Sequence, residues 1–125
     1  MAHEHLVMIV DDDTDCRELL AELLVHESYK AVTAANGAEA LTVLREHADS
    51  VCLILLDLMM PVMNGWEFRR EQRADPRIAP IPVIVLTADT QALRHAELHA
   101  QALLAKPLEP EKLLSLVPAY CRHQD

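Results

Sequence analysis

At 125 residues the chain has the length of a single domain, long enough to bury a core without metals or disulfides as staples. Hydrophobic residues make up 51% of it and charged residues 25%, which is typical of a soluble globular protein, and its apolar runs are too short to cross a bilayer. A formal net charge of -9 disfavours nonspecific binding to nucleic acid, because that binding requires basic groups to neutralise phosphates, and it favours a protein as partner.

Two further features predict a cytoplasmic protein. Residues 1–5 lack the basic stretch and apolar core of a secretory signal. The three cysteines, Cys16, Cys52 and Cys121, cannot all pair, and two of them lie in apolar patterns typical of a helix face and a buried strand. We therefore expect three reduced thiols.

The first half of the chain alternates predicted strands and helices. The apolar run from Leu6 to Val10 predicts a strand, and the next stretch predicts an amphipathic helix that carries on one face Cys16, Leu19, Leu20, Leu23 and Leu24. Lys30 to Ala34 is a weaker strand candidate. Asn36 and Gly37 then form a turn before a helix whose inward face carries Ala40, Leu41, Leu44 and Ala48.

The second half continues the alternation. Residues 51–56 predict a buried strand, and residues 61–65 predict a loop. A polar helix follows this loop and is expected to end at Asp75 and Pro76. Residues 82–87 predict a fourth buried strand, about 89–99 a fourth helix, and 102–105 a short fifth strand that Lys106 and Pro107 break. A last helix is predicted from about Glu109, and the residues on its core-facing side are Leu113, Leu114, Val117 and Tyr120.

Five strands alternating with five helices predict one doubly wound α/β domain with a parallel sheet covered on both faces. We expect residues 1–125 to form this single domain, and nothing in the chain resembles an output module. Ligands of such sheets bind outside the carboxyl ends of the strands, near the point where the strand order reverses. The functional residues are therefore expected at that edge.

Polar side chains follow four of the predicted strands. Asp57 ends the apolar run 51–56, Thr87 ends the fourth strand, Lys106 follows the fifth, and an acidic triplet from Asp11 to Asp13 follows the first. Within the triplet, Asp13 or the neighbouring Thr14 is interpreted as a helix N-cap. Because the carboxyl ends of parallel strands meet at one edge, the remaining side chains predict one site.

The chain resembles a bacterial response-regulator receiver domain of the stand-alone, chemotaxis-regulator type over essentially its whole length. The motifs that carry the resemblance occur in the family's order, and they are 9–13 (IVDDD), 55–57 (LLD), 60–65 (MPVMNG), 86–88 (LTA) and 105–107 (AKP). Each motif alone is weak, whereas the five together are specific. The resemblance implies a flavodoxin-like sheet with strand order 2-1-3-4-5 and a phosphoacceptor signalling switch rather than an enzyme.

The same resemblance assigns roles to the site residues. Asp57 accepts a phosphoryl group from a sensor histidine kinase or a histidine phosphotransfer protein, and Thr87 and Lys106 contact that group. A Mg²⁺ ion, with Mn²⁺ as an alternative, is bound by Asp11, Asp12, Asp57 and the Met59 backbone carbonyl. The switch then changes binding to a downstream protein or passes the phosphoryl group onward.

Elementary chemistry agrees with these roles. A carboxylate can attack phosphorus, but its donor is also negatively charged, so repulsion is the main obstacle. Mg²⁺ prefers hard oxygen ligands and few carboxylates, which matches the acids available here. Without the metal, crowding should raise the pKa of at least one of these acids and destabilise the fold, so metal binding should stabilise the protein.

Other residues are predicted to tune the switch. By resemblance, Met59 and Asp89 set the lifetime of the phosphorylated state, and the small Ala88 should leave donors room to enter. Slow to intermediate autodephosphorylation is expected because a methionine side chain cannot usefully hydrogen-bond an attacking water. The family's switch pairs the threonine with an aromatic residue three positions before the lysine. That position is Leu103, which lacks a flat ring, so the expected coupling depends on Thr87 and the loop after it.

Four alternatives compete with this interpretation. Asp11, Asp13, Asp15 and Glu22 mimic a calcium-binding EF-hand loop, although its glycine position holds Cys16. The pair Asp11 and Asp13 also resembles the haloacid-dehalogenase phosphatases, but Asp15 stands where they carry Thr or Val. His95 and His99 have zinc-binding spacing, without a Glu-x-x-His arrangement. The fourth alternative is a receiver-like scaffold that takes no phosphoryl group.

Overall fold

A computed structural model describes residues 6–88 and 99–121, and five parallel strands form its single sheet. The strands are β1 (Leu6–Val10), β2 (Lys30–Ala34), β3 (Val51–Asp57), β4 (Val83–Thr87) and β5 (Ala102–Ala105). The helices of the described ranges are α1 (Thr14–His26), α2 (Gly37–Glu46), α3 (Gly65–Ala74) and α4 (Pro110–Tyr120). The bounds of β1, β3 and β4 follow the apolar runs closely, because these runs are buried on both faces of the sheet.

The strand order is β2-β1-β3-β4-β5, as the resemblance implied. Residues Val7 to Val10 pair in parallel with 31–34 on one side and with 53–56 on the other. The chain therefore reverses its direction of travel across the sheet between β1 and β3, and the carboxyl ends of these strands border the crevice of the predicted site.

Alternate residues of the strands supply two separate cores. One face of the sheet, with Met8, Ile54 and Val85, packs against α2 and α3. The opposite face, with Ile9 and Leu55, packs against α1 and α4. Successive strand side chains point to opposite faces, so one continuous apolar run supplies both cores.

Local signals at the helix ends agree with the sequence predictions. The Asp13 side chain accepts hydrogen bonds from the backbone amides of Asp15 and Cys16, so the capping interpretation is confirmed for Asp13. Asn64 and Glu67 form a reciprocal capping box at the start of α3. The next helix boundary is also as predicted, since α3 ends at Ala74, one residue before Asp75.

The inward face of α1 was predicted too broadly. Leu20 and Leu24 are buried, but the side chain of Leu19 is 55% exposed. Leu19 lies at the border of the apolar stripe of α1, next to the buried Leu20, and stays in solvent.

The cysteine prediction was wrong for two of the three residues. Cys52 and Cys121 form a disulfide, with their Cα atoms 5.0 Å apart, while Cys16 is free. The end of α4 packs over the start of β3, which brings together two cysteines that are 69 positions apart in the chain. Their own sequence contexts do not reveal this proximity.

The predicted fourth helix falls, except for His99, outside the described residues. His99 itself has a φ of 48°, so it is not helical. In the described ranges, no helix combines the length and the apolar character that a membrane span requires.

Candidate functional site

Four strand ends converge on one edge of the sheet, as the sequence predicted. Asp11 directly follows β1, Asp57 and Thr87 end β3 and β4, and Lys106 directly follows β5. The backbone amide of Lys106 donates to the Thr87 carbonyl oxygen at 2.9 Å, which extends the pairing of β4 and β5 by one step. All but Lys106 are buried, at an exposure of 6% or less.

Lys106 joins the acids of the first and third strands. Its Nζ lies 2.8 Å from Oδ2 of Asp11 and 3.5 Å from Oδ2 of Asp57. The side chains of Asp11 and Asp57 are 0% and 8% exposed, so water screens these contacts weakly. One cation therefore bridges two buried carboxylates.

Three carboxylates form a cluster beside this lysine. Oxygen atoms of Asp11, Asp12 and Asp57 lie within 4.8 Å of one another, and Asp12 is exposed. A set of hard oxygen donors that includes an acid open to solvent suits Mg²⁺, which keeps several of its waters. The donor set therefore fits a magnesium ion.

The pKa values of the buried acids move in opposite directions. Burial, followed by the charge of Asp11, raises the pKa of Asp57 to about 6, although Lys106 and the Met59 backbone N–H oppose the shift. Burial also acts to raise the pKa of Asp11, but the hydrogen bonds from Lys106 and the Asp13 amide outweigh it, and the pKa is lowered. The prediction that crowding raises at least one acid pKa is confirmed for Asp57, with burial as the larger cause.

The basic group and the nearby thiol keep their protons. Burial acts to lower the pKa of Lys106, but its hydrogen bond to Asp11 and the charge of Asp57 outweigh burial and raise it. Burial, then a hydrogen bond to Asp11, raises the pKa of Cys16 to about 12. Lys106 is therefore a cation, and Cys16 is a neutral thiol rather than a nucleophile.

The loop after Asp57 is held tightly against the sheet. A Cβ atom added at Gly65 would lie 2.7 Å from the Leu58 Cα and 2.8 Å from the Asp57 carbonyl oxygen, so only glycine fits there. The Gly65 amide also donates to the Leu58 carbonyl oxygen at 2.9 Å. Val62, between them, has a φ of 67°, which is strained for a β-branched residue.

The remaining predicted residues lie around this loop and the last strand. Met59 donates its backbone N–H to Asp57 at 3.3 Å, and its side chain is 61% exposed. Ala88 is exposed directly after β4, whereas Asp89 lies outside the described residues. Leu103 is half-buried and packs against the core beneath α2 and α3.

The structure bears on the calcium-binding and zinc-binding interpretations of the sequence. The EF-hand interpretation is wrong, because α1 begins at Thr14 and places both Asp15 and Glu22 on a helix rather than in a loop. The zinc interpretation requires His95, which lies outside the described residues.

The sequence interpretation missed two residues at the site. Arg17 donates from Nη1 to the Asp11 carbonyl oxygen at 2.6 Å, and the Cys16 thiol hydrogen-bonds Asp11. Both lie on the first turn of α1, which faces the carboxyl end of β1. Both residues follow Asp11, the acid at the end of the first strand, by no more than six positions. This spacing is the sequence signal that could have identified them.

Comparison with known proteins agrees with this geometry. The response regulator receiver domain family matches residues 7–118. A transcriptional regulatory protein, the CpxR homolog of Haemophilus influenzae, is 40% identical over 119 residues, which cover 93% of this chain and 50% of that protein. The chain thus spans about half the length of the curated relatives it matches.

Solved structures share the fold. A response regulator receiver protein from Pseudomonas putida aligns with a TM-score of 0.85 at 32% identity, over 95% of this chain and 99% of that one. A chain of the CheX–CheY–BeF3–Mg²⁺ complex of Borrelia burgdorferi aligns with a TM-score of 0.83 at 25% identity, over 91% of this chain and 87% of that one. The acids, the threonine and the lysine lie together at the carboxyl ends of the strands, and the family matches nearly the whole length of the chain. The chain therefore belongs to the response regulator receiver domain family of two-component signalling.

Proposed function

We propose that Asp57 is the phosphoryl acceptor of this receiver domain. The observation that carries the proposal is the position of Asp57 between Lys106, 3.5 Å away, and the carboxylates of Asp11 and Asp12. A nucleophilic acid, a cation and metal-binding oxygens are the groups that phosphoryl transfer requires.

The reaction makes one bond and breaks one. An Asp57 carboxylate oxygen attacks the phosphorus of a phosphohistidine on a sensor kinase or phosphotransfer protein. The O–P bond forms as the P–N bond breaks, and the electron pair of that bond leaves with the imidazole, which is then protonated from solvent. A pKa of about 6 leaves Asp57 mostly ionised at neutral pH, and burial removes water that would compete for its oxygens.

Mg²⁺ is proposed to bind Asp11, Asp12, Asp57 and the backbone carbonyl of Met59, with Mn²⁺ as an alternative. When bound, the ion would neutralise part of the charge shared by the acids and the phosphoryl oxygens. The Mg²⁺ in the Borrelia complex supports this cofactor, and so does the acidic cluster of this chain.

Lys106 and Thr87 are proposed to hold the transferred group. Lys106 is a compact cation at the acceptor, and it can exchange its bond to Asp11 for one to a phosphoryl oxygen. Thr87 is buried at the end of β4, where its hydroxyl can donate to a second oxygen. Movement of Thr87 and of the loop after it is the proposed switch, because Leu103 supplies no aromatic ring.

The lifetime of the aspartyl phosphate is proposed to depend on Met59 and Asp89. The exposed Met59 side chain cannot orient a water for attack, and Ala88 leaves room for a donor to enter. Asp89 either orients a water or repels it. Faster decay of the phosphorylated Asp89→Ala variant would identify repulsion as its role.

The proposed partners are a histidine kinase or phosphotransfer protein and a downstream protein, without nucleic acid or membrane. The proposed cytoplasmic location loses the support expected from reduced thiols, because Cys52 and Cys121 are joined, and it rests on the family assignment. The transcriptional role named for the Haemophilus relative is not carried over, because the chain matches only half of that protein. A scaffold that takes no phosphoryl group is the second candidate. The half-buried Leu103 at the aromatic position would allow it, whereas the complete set of acids, threonine and lysine argues against it. The haloacid-dehalogenase reading is weaker, because Asp13 caps α1 and is committed to its amides.

Intact mass after incubation with Mg²⁺ and phosphoramidate tests the acceptor. We expect one added phosphoryl group on the wild type and none on Asp57→Asn. The control variant Asp49→Asn, which removes an exposed acid remote from the site motifs, should gain one phosphoryl group like the wild type. Chelating the metal should abolish the addition. No addition to a protein shown to bind Mg²⁺, with this donor and with a panel of kinases, would favour the scaffold, whereas continuous donor hydrolysis that survives in Asp57→Asn would favour the phosphatase.

A further inference from the structure

One face of α3 forms a cationic cleft that the phosphoacceptor chemistry does not use. Its walls are Trp66, Arg70, Arg73 and His99, and its volume is about 240 Å³. The three helical residues are spaced i, i+4 and i+7, so they share one face of the helix. None of these four residues contributes a group to the proposed phosphoryl site.

The arginines of the cleft have charges that no described neighbour neutralises. Both Arg70 and Arg73 are exposed, and neither forms an ion pair with a described residue. Two of the nearby acids are engaged elsewhere, since Glu67 closes the capping box of α3 and Asp75 pairs with Arg45 at 3.1 Å, while Glu71 is exposed on the same helix. Among the described residues, the cleft therefore brings two arginines together in a chain whose formal net charge is -9.

A buried arginine holds the far wall of the cleft in place. Arg69 donates from Nη2 to the His99 carbonyl oxygen at 2.7 Å and from Nη1 to Gln72 at 2.7 Å. Gln72 in turn donates to the carbonyl oxygens of Ile78 and Ile81. A wall already fixed by such a network loses little conformational entropy when a ligand binds.

The side chains that line the cleft indicate which class of ligand it can bind. Guanidinium groups pair with carboxylates through two parallel hydrogen bonds, and an indole beside them accepts an apolar contact. A volume of about 240 Å³ is below the 300–1,000 Å³ usual for small-molecule pockets, and it suits one or two side chains better than a nucleotide. The net charge of -9 opposes nucleic acid.

We propose that this cleft binds an acidic segment of a partner protein, with carboxylates on Arg70 and Arg73 and an apolar side chain on Trp66. This binding is a second contact surface, and it does not require phosphorylation of Asp57.

Trp66 makes the proposal directly measurable, because it is the only tryptophan in the chain and its emission reports on the cleft. The probe is a synthetic peptide of glutamates around a central leucine, titrated into the full chain at low salt. We expect a saturable change in Trp66 emission that weakens with added salt and is lost when glutamine replaces the glutamates.

Single variants locate the binding. Arg70→Gln and Arg73→Gln should each weaken peptide binding about tenfold, since each removes a charge-assisted hydrogen bond. The matched control Lys112→Gln, which removes an exposed cation on α4, should change it less than about twofold.

Three results would overturn the proposal: no emission or calorimetric response to the peptide, equal binding of the glutamine peptide, or equal loss in Lys112→Gln. Pyrophosphate that binds the cleft while the peptide does not would also overturn it, because the site would then take small anions only. None of these results bears on phosphorylation of Asp57, which the mass measurement tests separately.

Discussion

Replacing Asp57 with asparagine is expected to stabilise the metal-free protein at neutral pH. In the folded chain the pKa of Asp57 is raised from an ordinary value of 3.8 to about 6, since burial and the charge of Asp11 disfavour the carboxylate. Two pKa units correspond to roughly 3 kcal/mol of unfolding free energy at neutral pH. Asparagine avoids this cost but places an amide near Lys106, so the net gain should be about 1–2 kcal/mol.

The sign of the pH dependence follows from the same shift. Between about pH 4 and pH 6 the folded wild type retains a proton that the unfolded chain has lost, so the Asp57 contribution to stability falls as pH rises through this window. Above about pH 6 both states are ionised and the full cost remains. Urea unfolding of wild type and Asp57→Asn in a chelator, at about pH 4 and about pH 8, should show the variant's advantage only at the higher pH.

Magnesium and a charge control complete this test. Mg²⁺ at tenfold its dissociation constant should stabilise the wild type by about 1.4 kcal/mol and Asp57→Asn by much less. Asp49→Asn, an equal charge change at an exposed position, should shift stability by less than about 0.5 kcal/mol. If Asp57→Asn were no more stable than the wild type at about pH 8, the argument from burial of the Asp57 charge would be refuted.

Reduction of the Cys52–Cys121 disulfide should lower the unfolding free energy by up to about 4 kcal/mol, because the bridge closes a loop between positions 69 apart; thermal melts with and without reductant measure this. Val62→Asn should raise stability by about 1 kcal/mol in urea unfolding, because φ is 67° and the side chain is 82% exposed, so strain is relieved without loss of burial. Gly65→Ala should cost about 1–3 kcal/mol and slow phosphorylation by phosphoramidate, because its Cβ would lie 2.7 Å from the Leu58 Cα.

Each of these predictions has a result that contradicts it. A reductant effect that persists in Cys52→Ser would exclude the disulfide as its cause, and Cys16→Ser, at the free thiol, is the control for other thiol chemistry. Loss of stability in Val62→Asn would show that the turn requires the valine side chain. A Gly65→Ala protein with unchanged stability would show that the loop after Asp57 can move away from α3.

The strands and the acceptor edge could be predicted because their signals are local. The run from Val83 to Leu86 is apolar throughout, and a strand buried on both faces needs no partner information to be recognised. The polar residue that ends each run then marks the same edge of any parallel sheet, so Asp57 and Lys106 could be placed together before their 3.5 Å separation was known.

Distances between elements decided the rest. Leu19 was expected inside and is 55% exposed, Cys52 and Cys121 were expected as thiols and are joined, and the buried Arg69 was not predicted within a polar helix. Each outcome depends on which residues of another element come within contact distance, as when Arg69 meets the His99 carbonyl 30 positions away. Spacing along a chain sets which face a side chain occupies, but burial, pairing and pKa depend on the neighbours that packing brings to that face.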